Sequence, residues 1–401
     1  MSRSTGPSRE EWGMGLSELA GRLMWPRLLE TARLALRPAR LGLSLVMLPV
    51  IGLIGQVPWL WLKSEREGWG QHWRGPLGLA DDMASAALAE IAHGVVSLNH
   101  LEVWAGLGKL FIEMPRDVVV TYPWSSLAIF VPALLVWTVG GGAISRMAAT
   151  EFSLDRGIGW TKGLAFAVGK AWSLFFSVAA PLLVVALISG VLALGGWVLL
   201  GIPGVRVAGA VFFVLALLGG GAAVVVFVGY ILGLPMLAPA VACEGTDAID
   251  AIQRTYAYVT GRPLRLVLYW AVLIVEGAVV TLVLAVLAGW TVQLTIWSAG
   301  LLLRGPMAAA MDELLNGHAP DYSTLTATQA GAVHIVSFWV QVPLLLVAAF
   351  VVSFWFSGGT TMYLLMRQAC DGQDVGELWT PGMVAGTHAP ASVEGEEEEE
   401  E

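Results

Sequence analysis

Six stretches of the sequence, about 41–62, 124–145, 172–200, 207–236, 264–290 and 333–362, each offer the roughly 20 apolar residues a helix needs to cross a hydrocarbon layer of about 30 Å. No water reaches backbone groups inside such a layer, so the chain must satisfy them itself, as helices or a closed barrel. The alternation that marks barrel strands is missing from these runs. The sequence therefore predicts an all-α fold, a polytopic transmembrane helix bundle of about six spans with amphipathic interfacial helices. Composition agrees: 56% of the residues are hydrophobic and 13% charged, about half the charged share of a soluble domain. The 47 glycines suit close helix approach and the 18 tryptophans suit headgroup level. The fifth run stays apolar as far as Leu303, too long for one crossing. The step in "GWTVQL" (289–294) predicts a span ending near Trp290 and an interfacial helix after it.

Orientation follows from Lys and Arg, which resist translocation. With the N-terminus in the cytoplasm, cytoplasmic segments hold fifteen of the 22 basic residues, so both termini are expected there. Residues 1–40 then form a cytoplasmic amphipathic segment and 41–366 the membrane domain, with outer loops at 63–123 and 305–332. Residues 367–401 form an acidic, disordered cytoplasmic tail. The tail accounts for the formal charge of -9: residues 371–401 hold ten acids and no base, and without them the chain is +1. It either recruits a basic partner or keeps the end soluble. The outer loop 63–123 is alanine-rich, with a helix over "LADDMASAALAEIAHGVVSLNHLEVW", and reads as a lid or a membrane-surface element. No apolar core precedes residue 41 and no small-residue cleavage site follows the first span, so that span is expected to stay as an anchor. Cys243 and Cys370 have neither disulfide nor zinc spacing.

Arg-Pro-x-Arg-Leu-x-Leu occurs twice, as "RPARLGL" (37–43) and "RPLRLVL" (262–268), each ahead of an outgoing span. Proline suits a first helical turn, where its missing N–H has no partner to lose. Arginine stems can lie along apolar surface while their heads reach lipid phosphates. Arg37, Pro38, Arg40, Lys170, Arg254, Arg262, Pro263 and Arg265 are thus expected to be interfacial anchors. An amphipathic helix precedes each copy: "LLETARLALRP" before the first, and "GTDAIDAIQRTYAYVTGRP" before the second, where Asp250 and Arg254 share the polar side. "AFAVGKAWSLFF" (165–176) aligns on "AYVTGRPLRLVL" (257–268), placing Lys170 on Arg262 without the proline. The chain thus reads as three units of interfacial helix, outgoing span and returning span.

Glu276, in "VLIVEGAVV", is the one ionisable residue expected deep in a span, where it must be protonated, paired or wet. Gln341, in the sixth span, falls at similar depth beside Pro343, so a Glu276–Gln341 hydrogen bond is the expected pairing, with an ion-coupled role as the alternative. Glu90-x-x-His93, followed by His100 and Glu102, lacks the further glutamates and second Glu-x-x-His of a di-iron bundle. "GLAFAVGKA" (163–171) has the wrong glycine spacing for a phosphate loop, and its lysine is not followed by Ser or Thr. The glycine runs at 140–142 and 219–221, and Gly229-x-x-x-Gly233, suit close helix packing. No metal, cofactor or nucleic acid is expected, and no catalytic residue is assigned.

"GGAISRMAA" (141–149), "FAVGKAWSLFFSVAAPLL" (166–183), "EGTDAIDAIQRTYAYVTGRPLRLVLYW" (244–270) and "MYLLMRQACDGQDVGELW" (362–379) resemble a group of polytopic inner-membrane proteins common in planctomycete bacteria. Glu244, Asp250, Arg254, Tyr256, Arg262 and Pro263 match the group's pattern in the third patch. The resemblance covers residues 125–380 in patches and implies a six-helix type of bundle in a bacterial cytoplasmic membrane; it brings no activity with it. Function is therefore expected to be that of a non-enzymatic component, transporter-like or membrane-organising. A scaffold that recruits a protein partner on the cytoplasmic side through its interfacial helices and tail is the alternative, and an intramembrane enzyme the third. Membrane lipids are the other expected partners.

Overall fold

The computed structural model describes residues 24–57 and 76–384. Every regular element among them is helical. A 3₁₀ turn, Trp25–Glu30, leads into the five-residue α1 (Thr31–Ala35) and then α2 (Pro38–Gln56). Next come α3 (Pro76–Val96), α4 (His100–Gly108), α5 (Met114–Thr121) and α6 (Pro123–Leu154). Short α7 (Trp160–Gly169) precedes long α8 (Ala171–Gly201), and α9 (Arg206–Val211) turns the chain into α10 (Phe213–Glu244). Amphipathic α11 (Ala248–Gly261) precedes α12 (Pro263–Gly300), and α13 (Pro306–Leu315) leads on to α14 (Ala327–Asp371). Six of these, α2, α6, α8, α10, α12 and α14, are long and apolar enough to cross a membrane. The chain is an all-α polytopic bundle, and a short helix stands ahead of the first, third and fifth of these six.

Two expectations about the elements are corrected. The helix of the fifth span does not break near Trp290 to begin a separate interfacial helix: α12 runs unbroken through 38 residues, about 57 Å at 1.5 Å per residue. Its polar step is absorbed within the helix, where Thr291 Oγ1 bonds the Leu287 carbonyl and Thr295 Oγ1 that of Thr291. The helix stops at Gly300, and Gly305, at φ 65°, precedes Pro306. The single helix expected across 79–104 breaks at Leu98, in the left-handed region, and Asn99 caps α4 by accepting the Leu101 N–H.

The chain divides into two compact units. Val46–Trp137 holds the end of α2, helices α3 to α5 and the start of α6. Within it α3 and α4 pack at glycines: a Cβ on Gly94 would lie 2.8 Å from the Val103 nitrogen, and one on Gly106 would lie 3.0 Å from the Ala87 carbonyl. Glu90 pairs with Lys109 at 2.7 Å and His93 with Glu102 at 2.6 Å, so the Glu-x-x-His residues have partners within the unit.

In the other unit, buried residues gather at one end. In α8 they stop at Pro181, in α10 all but Ala223 lie from Gly229 onward, and in α14 all but Val333 lie between Ala349 and Arg367. This end, the base, includes α6 from Thr138, the starts of α8 and α12, and helices α7 and α11. Gly229 and Gly233 let α11 approach α10: Cβ atoms there would stand 2.6 Å from the Tyr256 ring and 2.5 Å from the Thr255 methyl. Beyond the base, α8–α10 and α12–α14 continue as two hairpins, with outward side chains such as Leu187, Leu194, Leu282 and Trp290 exposed.

The N-terminal segment belongs to the base rather than to the lipid surface. Leu28, Thr31, Leu34 and Ala35 form its apolar face and are fully buried, against α12 and α14. Thr31 and Thr361 hydroxyls bond at 3.0 Å, and Ser353 Oγ bonds the Ala35 carbonyl at 2.7 Å. The end of the chain is corrected too. Helix α14 runs to Asp371, and residues 372–384, expected at the start of a disordered tail, fold back on the base with Val375 and Leu378 buried. Residues 385–401, with the closing glutamates, lie outside the described residues.

Candidate functional site

A buried cluster of charged and polar groups is built around the C-terminal end of α10. A helix leaves its last carbonyls without partners and carries a partial negative charge there, so such an end attracts donors and cations. Here it also ends on an acid, Glu244, whose side chain is 1% exposed. Gly245 caps it at φ 61°, where a glycine is favoured and where a Cβ would collide with the Trp379 ring at 2.3 Å. Arg146, from α6, donates Nη1 to the Ala242 carbonyl at 2.8 Å. The Trp379 N–H takes the Cys243 carbonyl at 2.9 Å, and Lys170, between α7 and α8, donates to that of Gly245.

The Glu244 carboxylate has its own partners. Arg367 on α14, fully buried, places Nη1 2.5 Å from Oε1, and the Tyr363 hydroxyl one turn earlier donates to the same oxygen at 3.3 Å. Arg254 on α11 stands 3.9 Å from Oε2 while its Nε donates to Asp250 at 3.2 Å. Burial works against the Arg254 charge, but Tyr363, Asp250 and Glu244 outweigh it and raise its pKa. Arg367 Nη2 reaches the carbonyls of Asp374 and Glu377, and Arg146 Nη2 that of Trp379. Two arginines therefore pin the returning segment, whose Trp379 ring meets Phe166 and the Lys170 ammonium. Nearby, Tyr258 donates to Asp371; burial and that bond hold its pKa well above the ordinary phenol range.

A second cluster forms where α2 begins. Glu151, near the end of α6, accepts from Arg37 Nε at 2.7 Å and Arg40 Nη2 at 2.8 Å, and Arg40 Nε bonds the Leu34 carbonyl at 2.6 Å. Arg40 is only 2% exposed, so it cannot be a lipid anchor. Its motif joins α2 to α6, with Pro38 at the first position of α2. Lys170 is corrected likewise, being held by the Gly245 carbonyl. Arg262, Pro263 and Arg265 do stand at the start of α12 bordering an open hollow.

The expected Glu276–Gln341 pair does not form. Gln341 is exposed, whereas Glu276 Oε1 accepts the Ala32 backbone N–H at 3.0 Å and Oε2 has no hydrogen-bond partner. The 3₁₀-to-α transition at Thr31 shifts the hydrogen-bonding register and leaves an N–H at the first turn of α1, where a carboxylate is favoured. Sequence reasoning therefore found the residue and missed its partner, because a backbone N–H has no side-chain signature. Glu151, Arg146, Arg367 and Trp379 were not singled out; the available signal was that three of them fall inside or at the ends of apolar spans. No protein-family model, curated protein or solved structure matches this chain.

Proposed function

We propose that the protein is a non-enzymatic, membrane-organising component rather than a conduit for solutes. The observation that carries this reading is the engagement of Glu276: the carboxylate deepest in the spans caps α1 and so holds the N-terminal segment between α12 and α14. A hollow of about 570 Å³ between α12 and α14, beside it, is lined by apolar residues such as Leu273, Phe354 and Met362, as a wall facing lipid would be. A water path needs polar groups aimed along it.

The test is a Glu276→Cys variant of the full chain in proteoliposomes, treated with a membrane-impermeant maleimide from either side. The expected result is no labelling from either side; labelling would favour transport. The six spans bring both described ends of the chain to the base, which also gathers Arg40, Arg146, Lys170, Arg254, Arg262 and Arg367. Positive charge favours the cytoplasmic face, which supports a base facing the cytoplasm of a bacterium and an acidic tail available to a protein partner there. A protease-protected C-terminal tag in inside-out vesicles would reverse that orientation.

A further inference from the structure

The two Arg-Pro-x-Arg-Leu-x-Leu segments have separate fates. In the first, both arginines are drawn to Glu151. In the second, Gly261, Arg262, Pro263, Leu264, Arg265 and Leu268 border a hollow of about 520 Å³ at the start of α12. Arg262 approaches the Cys370 thiol and Arg265 the Tyr269 hydroxyl. The nearby Asp371 carboxylate accepts from Tyr258. Directly below the arginines, on a helix long enough to span the membrane, Leu264 is 86% exposed and Val267 also faces outward. Positive charge thus sits immediately over bare apolar surface, a pairing that a lipid with an anionic head satisfies and a free anion does not.

We infer that the start of α12 is a seat for an anionic phospholipid, its phosphate between Arg262 and Arg265 and an acyl chain along Leu264 and Val267. The inference does not depend on whether the bundle organises the membrane or transports. Each arginine near a membrane surface contributes about 1 kcal/mol toward anionic lipid, so removing both should weaken retention about thirtyfold.

Native mass spectrometry of the full chain, equilibrated in detergent with equal dioleoylphosphatidylglycerol and dioleoylphosphatidylcholine, tests this. The wild type should retain the anionic dioleoylphosphatidylglycerol selectively. Arg262→Gln/Arg265→Gln should lose that selectivity, Arg262→Lys/Arg265→Lys should keep most of it, and Arg206→Gln, in the α8–α10 turn, should behave as wild type. Equal retention of the two lipids by the wild type, or unchanged selectivity in the glutamine variant, overturns the seat. Displacement of the lipid by inorganic phosphate alone would make it a free-anion site and overturn the lipid assignment. If the double variant elutes as aggregate, Arg262→Gln alone, at the exposed N-cap, is read by the same criteria.

Discussion

The base and the two hairpins that leave it use opposite rules. At the base, charged and hydroxyl groups meet one another and the loose carbonyls of a helix end, and glycines bring backbones together. Along the outer halves of α8, α10, α12 and α14, large apolar side chains face outward and each hairpin mostly contacts itself. Lipid tails are as apolar as leucine, so greasy surface alone does not bind helices in a membrane; small residues, packing and polar contacts do. The base has those devices in density, and the hairpins need only be compatible with lipid.

The sharpest way to break that contrast is Arg367→Ala, which leaves Glu244 buried without its main partner and removes the contacts to the Asp374 and Glu377 carbonyls. Loss of one member of a buried pair is expected to cost about 3–5 kcal/mol, read as a drop in the unfolding midpoint of the detergent-solubilised chain. Leu194→Ala, on an outward face of α8, should shift that midpoint by less than about 0.5 kcal/mol. The glycines give the next contrast. A Cβ at Gly359 would sit 2.0 Å from the Pro235 carbonyl oxygen, a backbone atom that cannot swing aside. Gly359→Val should destabilise by about 1–3 kcal/mol through forced separation of α10 and α14, while Gly220→Ala, with open space around it, should be neutral or slightly stabilising.

Smaller effects sharpen the picture within the base. Glu276→Ala should cost about 1 kcal/mol, the usual worth of a helix cap, and Glu276→Gln less, since an amide oxygen can still accept the Ala32 N–H; thermal unfolding of the two variants measures the difference. Tyr258 gives a pH test. Its folded pKa is raised, first by burial and then by Asp371, above an ordinary value of about 10. Its stabilising contribution is therefore complete below that pH and falls as pH rises beyond it, because the unfolded chain releases the proton first. Tyr258→Phe should flatten the decline in the midpoint between about pH 9.5 and 11, at a loss of about 1 kcal/mol at pH 8 from the missing hydrogen bond.

The contrast also accounts for what could be read from the sequence. The spans and the short helix before each outgoing one were legible because lipid imposes length and apolarity on every crossing, and amphipathic spacing marks a surface segment. The partners at the base were not. Arg37 and Glu151 lie 114 positions apart, and only the convergence of helix ends makes them neighbours. Arg37-Pro38-x-Arg40 and Arg262-Pro263-x-Arg265 read alike because the pattern encodes a helix start; the acid that captures the first pair is carried by another helix. The break expected after Trp290 failed for a local reason, since threonine hydroxyls can be satisfied by carbonyls of their own helix.

The docking of residues 25–36 between α12 and α14 has a consequence for biogenesis. A ribosome delivers that segment well before α14, so the earlier-made piece must wait for the later one before Leu28 and Thr31 find their places. Membrane insertion can proceed pairwise, but the closing step comes only once α14 has been made, which makes that helix the clasp of the base.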